Sequence, residues 1–438
     1  MISNPLIFTL TSDLAGKSRG KAFPVSDLEK RLKRGVGWTP TNAMITCFDA
    51  IAEGPFGSLG DLLLIPDQDT SVELDFEDGG PVERFMIGDI TDLDGNPWNF
   101  CTRSLLKAAL ARLKMAGGVQ LVSAFEHEFQ FTGAKKALPG DGFGLRGFTD
   151  RRVFGEALMA ALDKGGLEAD TFMKEYGSNQ YEVTNGPAKD HCSADQAVIL
   201  RELTRMTAKR CGEHVTFVPI LNPASVGNGV HIHMSFLDQT GNPVTYDANG
   251  PAGMSVLTGS FIAGVLKYLD KIVALTAPSD ISYLRLTPHR WSAAFNNLGF
   301  RDREASVRIC PVTSTDPDSI ARQYNFEFRA ADASASPFLA LAAILHAGAQ
   351  GIEDELPAPK VIEEDLSLLD KTTLTERGYV RLPQSLEEAL CRFEDNNTVT
   401  GWFPDGFSDV YTAHKRYEIA YLGDADMDAR CIAYSDVY

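Results

Sequence analysis

The sequence lacks the features that mark secreted, membrane-spanning and nucleic-acid-binding proteins. Its seven cysteines form no CxxC pair, which suits a reducing compartment better than a disulfide framework. The apolar run at 5–10 ends before Asp13 and is too short for a signal peptide or a membrane span. The 41 Lys and Arg are outnumbered by 59 Asp and Glu, and the net charge of -18 disfavours binding to nucleic acid or an anionic membrane. We therefore expect a cytoplasmic protein with no nucleic-acid or membrane partner.

The chain does have enough length and apolar content for more than one domain. It has 438 residues, of which 44% are hydrophobic and 23% are charged. The turn 94–97, Asp-Gly-Asn-Pro, is the clearest boundary, so we predict a domain of short strands over 1–98 and a catalytic domain over 103–438. Apolar spacing predicts helices over 104–115, 152–163, 194–211, 256–275, 337–352 and 385–392. These helices alternate with strands without a parallel βαβ rhythm, which indicates an α+β fold on an antiparallel sheet.

Polar residues occupy alternate positions in five short segments whose intervening positions are apolar. In 124–131, a strand would place Glu126, Glu128 and Gln130 on one face and the phenylalanines on the other. The pattern recurs with His231, His233 and Ser235 in 230–236, Glu182 in 180–183, Arg308 in 306–309, and Glu327 and Arg329 in 324–329. An ordinary solvated sheet face also alternates, but it usually carries Thr, Lys and Ser. The Glu, His and Arg content favours a sheet face that lines a reaction chamber.

Carboxylates gathered on one such face would repel one another unless cations compensated them. The candidates are Glu126, Glu128, Glu175, Glu182 and Glu327. Oxygen donors with an occasional imidazole suit Mg²⁺ or Mn²⁺ better than zinc. Any one glutamate could instead form a surface salt bridge, and any one histidine a structural hydrogen bond. As a set, these residues favour metal binding.

Four arginines in the same part of the sequence can bind phosphate and carboxylate groups through planar donors. They are Arg285, Arg303, Arg308 and Arg329. Divalent ions beside an arginine cluster meet the needs of phosphoryl transfer, because charge that develops on the phosphoryl oxygens must be neutralised. The sequence has no Walker loop. We therefore expect metal ions and the chamber wall to hold a nucleotide.

From about Asp13 onward, the chain resembles the glutamine synthetases. The matching motifs are Phe125–Phe129, Glu175–Glu182, Gly227–Ser235, Arg303–Ile309, Phe326–Arg329 and Asp332–Leu339. The resemblance implies a small N-terminal β-grasp domain, followed by a catalytic domain whose antiparallel sheet lines a metal-containing funnel. It also implies a homo-oligomer, a dodecamer of two hexameric rings in which a neighbour completes each active site. The reaction it implies uses ATP to convert the γ-carboxylate of glutamate into an acyl phosphate, which an amine attacks.

The resemblance also implies roles for individual residues. The metal at the reacting carboxylate would be bound by Glu128, Glu175 and Glu182. The metal that bridges the ATP phosphates would be bound by Glu126, His231 and Glu327. Nucleotide contacts correspond to His233 and Ser235, and stabilisation of the transferred phosphoryl group to Arg303 and Arg308. Glutamate binding corresponds to Gly227, Arg285 and Arg329.

The chain departs from ammonia-using members at both acidic groups that hold ammonium there. The N-terminal loop 37–42 contains no acid, and the flap, residues 285–291, has Trp291 where those members have a glutamate. Val226 and Asn325 also replace substrate-contacting residues of many members. Because an aromatic flap residue favours a carbon-bearing amine, the chain resembles the γ-glutamylmethylamide and γ-glutamylpolyamine synthetase branch.

We therefore predict an ATP-dependent ligase that forms a γ-glutamyl amide from glutamate and a primary amine. Methylamine, ethylamine and polyamines are the candidate acceptors. Three alternatives stay open: an ammonia-using glutamine synthetase whose ammonium site is built from other residues, a phosphotransferase, and a non-catalytic oligomeric scaffold or sensor.

Overall fold

The computed structural model describes residues 3–133 and 139–438. Its strands are β1 (Leu6–Ser12), β2 (Ser18–Pro24), β3 (Val36–Trp38), β4 (Leu62–Pro66), β5 (Val72–Leu74), β6 (Glu83–Thr91), β7 (Gln120–Thr132), β8 (Ala169–Lys174), β9 (Gln180–Asn185), β10 (Ala188–Lys189), β11 (His214–Thr216), β12 (Val230–Leu237), β13 (Leu298–Phe300), β14 (Val307–Ile309), β15 (Phe326–Phe328) and β16 (Val361–Ile362). Its α-helices are α1 (Leu28–Arg34), α2 (Thr102–Gly117), α3 (Leu145–Asp150), α4 (Arg152–Lys164), α5 (Cys192–Arg210), α6 (Val256–Thr276), α7 (Ser282–Arg285), α8 (Pro317–Gln323), α9 (Pro337–Glu353), α10 (Lys371–Glu376), α11 (Leu386–Glu394), α12 (Asn397–Thr400), α13 (Phe407–Tyr421) and α14 (Met427–Val437).

The first six strands form a small sheet in the order β2-β1-β6-β4-β3, with β5 also paired to β6. Strand β1 pairs antiparallel with β2 and parallel with β6, so the sheet is mixed. A separate apolar core, which includes Ile7, Leu64 and Met86, lies against it. Helix α1 contributes Leu28 and Leu32 to that core. A small mixed sheet that packs against one helix agrees with the expected β-grasp domain.

The other ten strands form a second sheet, in the order β16-β13-β14-β15-β12-β7-β9-β8, with β10 and β11 also paired to β7. From β14 to β8 along this order the neighbours are antiparallel, as the sequence predicts. At the other edge, β13 pairs parallel with both β14 and β16. The expected antiparallel sheet is therefore confirmed from β14 to β8, and this edge adds two parallel pairs. A three-residue strand has too few positions for its side-chain pattern to reveal its direction.

The apolar side of the large sheet packs on a helical layer and excludes water. Phe125 and Phe129 of β7 are buried there, and burial of each such ring contributes about 1.5–3 kcal/mol. Helices α6 and α9 approach so closely that a Cβ on Gly264 would lie 2.2 Å from the Ala347 carbonyl oxygen. This packing fixes the opposite, polar face of the central strands β7, β12 and β15. Among the described residues, no helix is long and apolar enough to cross a membrane.

Candidate active site

Strand register brings the predicted polar residues together on one face of the large sheet. Strand β7 lies between β9 and β12, and Glu128 is directly opposite Glu182 while Glu126 is directly opposite His231. Directly opposed residues on one face have Cβ atoms about 4.5–5.5 Å apart. Two adjacent strand pairs therefore supply three carboxylates and an imidazole to one small volume.

One group of donors in this volume is suited to a divalent cation. Ligand atoms of Glu126, Glu182 and His231 all lie within 4.8 Å of one another. The Nδ1 atom of His231 is 3.2 Å from Oε2 of Glu126. Two carboxylates with one imidazole match the donor preference of Mg²⁺ and Mn²⁺. These residues therefore fit the metal that the resemblance implies.

Glu128 and Glu182 lie close to like charges. Desolvation and the nearby Glu175 raise the pKa of Glu128 to about 7, although the Gly229 N–H donates to its Oε2 at 2.9 Å. Desolvation, followed by the charges of Glu126, Glu128 and Glu175, raises the pKa of Glu182. Full ionisation of this cluster requires added positive charge.

Glu327 forms a second group with protein cations. Its Oε1 accepts a hydrogen bond from Arg308 at 2.9 Å and another from Arg329, and its Oε2 lies 2.9 Å from His233 Nε2. Although burial opposes ionisation, contact with His233 and the nearby charges of His231 and Arg329 hold the pKa of Glu327 well below its usual range. Glu327 is 1% exposed, so it is a buried anion that three basic side chains surround.

The grouping in the structure differs from the one that the resemblance implies. His231 and Glu126 lie with Glu182, whereas Glu327 lies with His233 and Cys310. The predicted sets had placed Glu327 with Glu126 and His231, and Glu182 with Glu128 and Glu175. The strands leave all of these donors on one face, so the assignment of each glutamate to a particular metal stays a prediction.

Cys310 continues the period of two set by Ser306 and Arg308, but it was not identified from the sequence because it follows the last residue of β14. Its Sγ is 3.6 Å from Nδ1 of His233, which also lies 2.9 Å from the Asn325 side-chain oxygen. Ser235 lies on the same face of β12 as His233, but opposite Val122 and further from the glutamates.

Gln180 is a second residue of the site that the sequence patterns did not identify. Its Nε2 donates to Glu128 Oε2 at 3.0 Å and to the Gly227 carbonyl oxygen at 2.9 Å. Position 227 requires glycine, because a Cβ there would lie 2.5 Å from Cδ of Arg285. This close approach lets the Arg285 side chain lie beside the carboxylate cluster.

Both arginines that are predicted to bind glutamate make contacts at the end of the flap. Arg285, the first residue of the flap, contacts Ser292, which follows the flap, and Arg329 contacts Trp291. The Arg285 guanidinium donates to Ser292 Oγ at 2.9 Å, and its buried Nε has no partner among the described residues. The Arg329 guanidinium donates to the Trp291 carbonyl oxygen at 3.2 Å and, through Nε, to the Arg303 carbonyl oxygen at 3.1 Å. The Arg303 side chain itself is exposed, so only its backbone joins this network.

A cavity of about 320 Å³ lies between the carboxylate cluster and the flap. Its lining residues are Glu128, Glu175, Tyr176, Gln180, Val226, Gly227, Gly229, His231, Arg285, His289, Arg290 and Trp291. Two aromatic residues, Tyr176 and Trp291, are 66% and 58% exposed, and their ring centroids are 6.1 Å apart. We name this space the acceptor cavity. It combines the Arg285 guanidinium, carboxylates and two aromatic surfaces.

The N-terminal loop 37–42 begins within the last residues of strand β3 and contains no carboxylate. The Thr39 hydroxyl donates to the Asn42 side-chain oxygen at 3.0 Å. The resemblance places this loop at a neighbour's active site, where it would contribute hydroxyl and amide groups.

We expect added Mg²⁺ to raise the melting temperature, and to raise it more at pH 8 than at pH 6. The carboxyl group of Glu128 is protonated in both the folded and the unfolded state below about pH 4.5. Because folding raises its pKa, the chelator-treated protein loses stability as the pH rises from there through about 7. A cation that binds the ionised cluster offsets this loss. Melting temperatures measured with Mg²⁺ and with chelator, at pH 6 and at pH 8, test this prediction. An equal rise in melting temperature at both pH values would contradict it.

Comparison with known proteins agrees with this geometry. The profile of the glutamine synthetase catalytic domain matches residues 99–430, and that of the glutamine synthetase N-terminal domain matches residues 3–98. The gamma-glutamylpolyamine synthetase of Streptomyces coelicolor is 32% identical over 434 residues, covering 96% of this chain and 91% of that protein. A solved structure described as a novel glutamine synthase homolog is 39% identical, with a TM-score of 0.91 over 100% of this chain and 99% of the other. The fold also matches GmaS in complex with ADP, at 22% identity and a TM-score of 0.82, over 96% and 94% of the two chains.

Proposed function

The chain belongs to the glutamine synthetase family of ATP-dependent ligases, and on this premise we propose that it joins the γ-carboxyl group of glutamate to a primary amine larger than ammonia. The supporting observation is the acceptor cavity, in which Trp291 and Tyr176 present aromatic surfaces beside the carboxylates. The relative named gamma-glutamylpolyamine synthetase supports an amine of this class. Methylamine, ethylamine and the polyamine putrescine are the acceptors we propose to test.

Different residues of the site have different roles in the proposed reaction. Arg285 and Arg329 bind glutamate, and Arg308 neutralises charge on the phosphoryl group as it moves from ATP to the γ-carboxylate. A carboxylate is a poor electrophile, so phosphorylation supplies the leaving group that the amine displaces. The glutamates and His231 would hold Mg²⁺ or Mn²⁺, which would supply further positive charge for the phosphate and carboxylate oxygens.

Trp291 and Tyr176 would bind the amine. An alkylammonium ion gains from contact of its charge with an aromatic face and from removal of its carbon atoms from water. Ammonium has no carbon to desolvate, so the same surfaces favour it less. A cation–π contact contributes about 0.5–2 kcal/mol to the binding of either cation. The preference for an alkylamine therefore comes from its carbon atoms, at about 0.8 kcal/mol for each buried CH₂, which corresponds to roughly four-fold per carbon.

The ammonia-using alternative requires an acid that replaces the family's flap glutamate. Glu304 is near the flap, but both of its carboxylate oxygens accept backbone N–H groups, and it does not line the acceptor cavity. The non-catalytic alternative is disfavoured because the candidate ligands Glu126, Glu182 and His231 converge.

We also propose that the protein works in the cytoplasm as a ring homo-oligomer, a dodecamer in the family's usual form. Its seven cysteines are free thiols, which supports a reducing compartment. In that assembly the loop 37–42 would complete a neighbour's acceptor cavity.

Product identification separates the candidate reactions. The purified protein is given Mg²⁺, ATP, glutamate and one amine at a time, and ADP release and product mass are recorded. The proposal predicts a γ-glutamyl alkylamide formed with stoichiometric ADP. Glutamine alone would support the ammonia-using alternative, a phosphorylated product without an amide would support a phosphotransferase, and no ADP would support a scaffold.

We expect Trp291→Glu to narrow the preference for alkylamine over ammonium. The carboxylate would bind ammonium, and the loss of the indole would remove the surface that covers alkyl carbon. The kcat/KM values for ammonium, methylamine, ethylamine and putrescine check this, with Trp291→Phe as the control that keeps an aromatic face. If Trp291 only packs the flap, Trp291→Glu will lower activity with all acceptors alike.

A further inference from the structure

The flap has two residues in a backbone conformation that non-glycine residues seldom adopt. His289 has a φ of 61° and Trp291 a φ of 52°. Both are in the left-handed region, where a Cβ crowds the backbone, so such residues persist only when surrounding contacts hold them. Trp291 is also 58% exposed, so core packing does not fix its ring.

Glu304 supplies contacts that hold both residues. Its Oε2 accepts the His289 N–H at 3.0 Å and its Oε1 accepts the Trp291 N–H at 3.2 Å. The carboxylate is itself positioned in the loop between β13 and β14, where the Glu304 N–H donates to Asp302 Oδ1 at 2.9 Å. The two oxygens of the carboxylate accept one N–H group each, and the negative charge strengthens both bonds.

A second set of contacts fixes the other edges of the flap. The Arg290 guanidinium donates to the carbonyl oxygens of Ser225 and Pro223 at 2.8 and 2.9 Å. Arg329 donates to the Trp291 carbonyl oxygen. Glu304 in turn fixes the backbone N–H groups of His289 and Trp291, the two residues with positive φ. The Trp291 side chain lines the acceptor cavity.

We propose that Glu304 is a positioning residue for acceptor recognition that acts through the Trp291 backbone. This inference rests on the proposed function. Glu304 lines a separate cavity of about 500 Å³ behind the flap, and it does not line the acceptor cavity. It therefore determines which amine is accepted by holding the Trp291 ring near Tyr176, across the space where the alkyl group binds.

The experiment compares Glu304→Ala and Glu304→Gln with Glu363→Ala. Glu363 is the matched control, because it is an exposed acid that lines the same rear cavity as Glu304. Hydrogen–deuterium exchange of a peptide that spans 286–293 is measured in each purified, folded full-length variant. Steady-state kinetics with ethylamine and with ammonium are measured in parallel.

The proposal predicts faster exchange of the flap amides in Glu304→Ala, an intermediate rate in Glu304→Gln, and the wild-type rate in Glu363→Ala. It predicts a KM for ethylamine raised roughly ten- to hundred-fold in Glu304→Ala, with the KM for ATP within threefold of wild type. Glu304→Gln keeps one oxygen acceptor and should recover part of the loss. A merely structural role would lower kcat for every acceptor equally.

Two results overturn the proposal: flap exchange in Glu304→Ala at the Glu363→Ala rate, or an ethylamine KM that does not rise. Failure of the proposed function is distinguishable, because it shows in the wild type as a preference for ammonium. The exchange measurement needs no amine, so it tests the contact between Glu304 and the flap in either case.

Discussion

Glu128→Ala and Glu327→Ala are each expected to reduce ADP release below detection when glutamate, amine, ATP and Mg²⁺ are all present. Each removes an anion from a site whose other ligands remain. Glu128 lies opposite Glu182 and beside the Gly229 N–H, and Glu327 lies between Arg308, Arg329 and His233. ADP release by the purified variants measures the effect.

The two variants differ in their expected stability. Glu327→Ala leaves the buried Arg308 and Arg329 and the half-buried His233 without their anion, and breaking a buried pair typically costs about 3–5 kcal/mol. Glu327→Gln keeps the shape and a hydrogen-bond acceptor, so it tests the role of the charge in a better-folded protein. Glu364→Ala, at an exposed site, is the control for loss of an acid. Near-normal ADP release in a folded Glu128 or Glu327 variant would contradict the metal-site assignment.

Arg308→Lys is expected to lower kcat by about 10²-fold or more, although it keeps the positive charge. The guanidinium donates to Glu327 through one nitrogen while its buried Nε has no partner among the described residues. That planar group can contact Glu327 and a phosphoryl oxygen together, whereas an ammonium group is a single point of charge.

Single-turnover and steady-state rates measure the effect of Arg308→Lys. The matched control is Arg301→Lys, because Arg301 is an exposed arginine over the Phe300 ring. We expect the control to keep near-normal kcat. A change in Arg308→Lys confined to KM for glutamate would assign Arg308 to substrate binding instead of phosphoryl transfer.

The parts of the site that the sequence predicted are those with a strong period of two. In β7 and β12 the alternation of Glu and His with apolar residues places the polar face correctly, because one face must be buried. The predicted helices at 152–163, 256–275 and 337–352 also match α4, α6 and α9 within a few residues. Long segments with a clear period carry this information locally.

The parts that were not predicted depend on contacts between distant segments. Strand register decides that Glu126 lies with Glu182 and His231, and no local pattern encodes register. Glu304 was overlooked because its role depends on two backbone N–H groups of the flap, and Tyr176 because it lies in an irregular segment after β8. The Arg303 side chain is exposed in the structure, so its contact with the phosphoryl group stays a prediction.

Direct competition between two amines tests whether the acceptor is an alkylamine. The wild-type protein is given ammonium and methylamine at equal concentration with glutamate, ATP and Mg²⁺, and both amide products are quantified by mass spectrometry. Their ratio reports the ratio of kcat/KM values and is independent of the glutamate concentration. We predict that γ-glutamylmethylamide exceeds glutamine; an excess of glutamine would contradict the proposal and identify an ammonia-using glutamine synthetase.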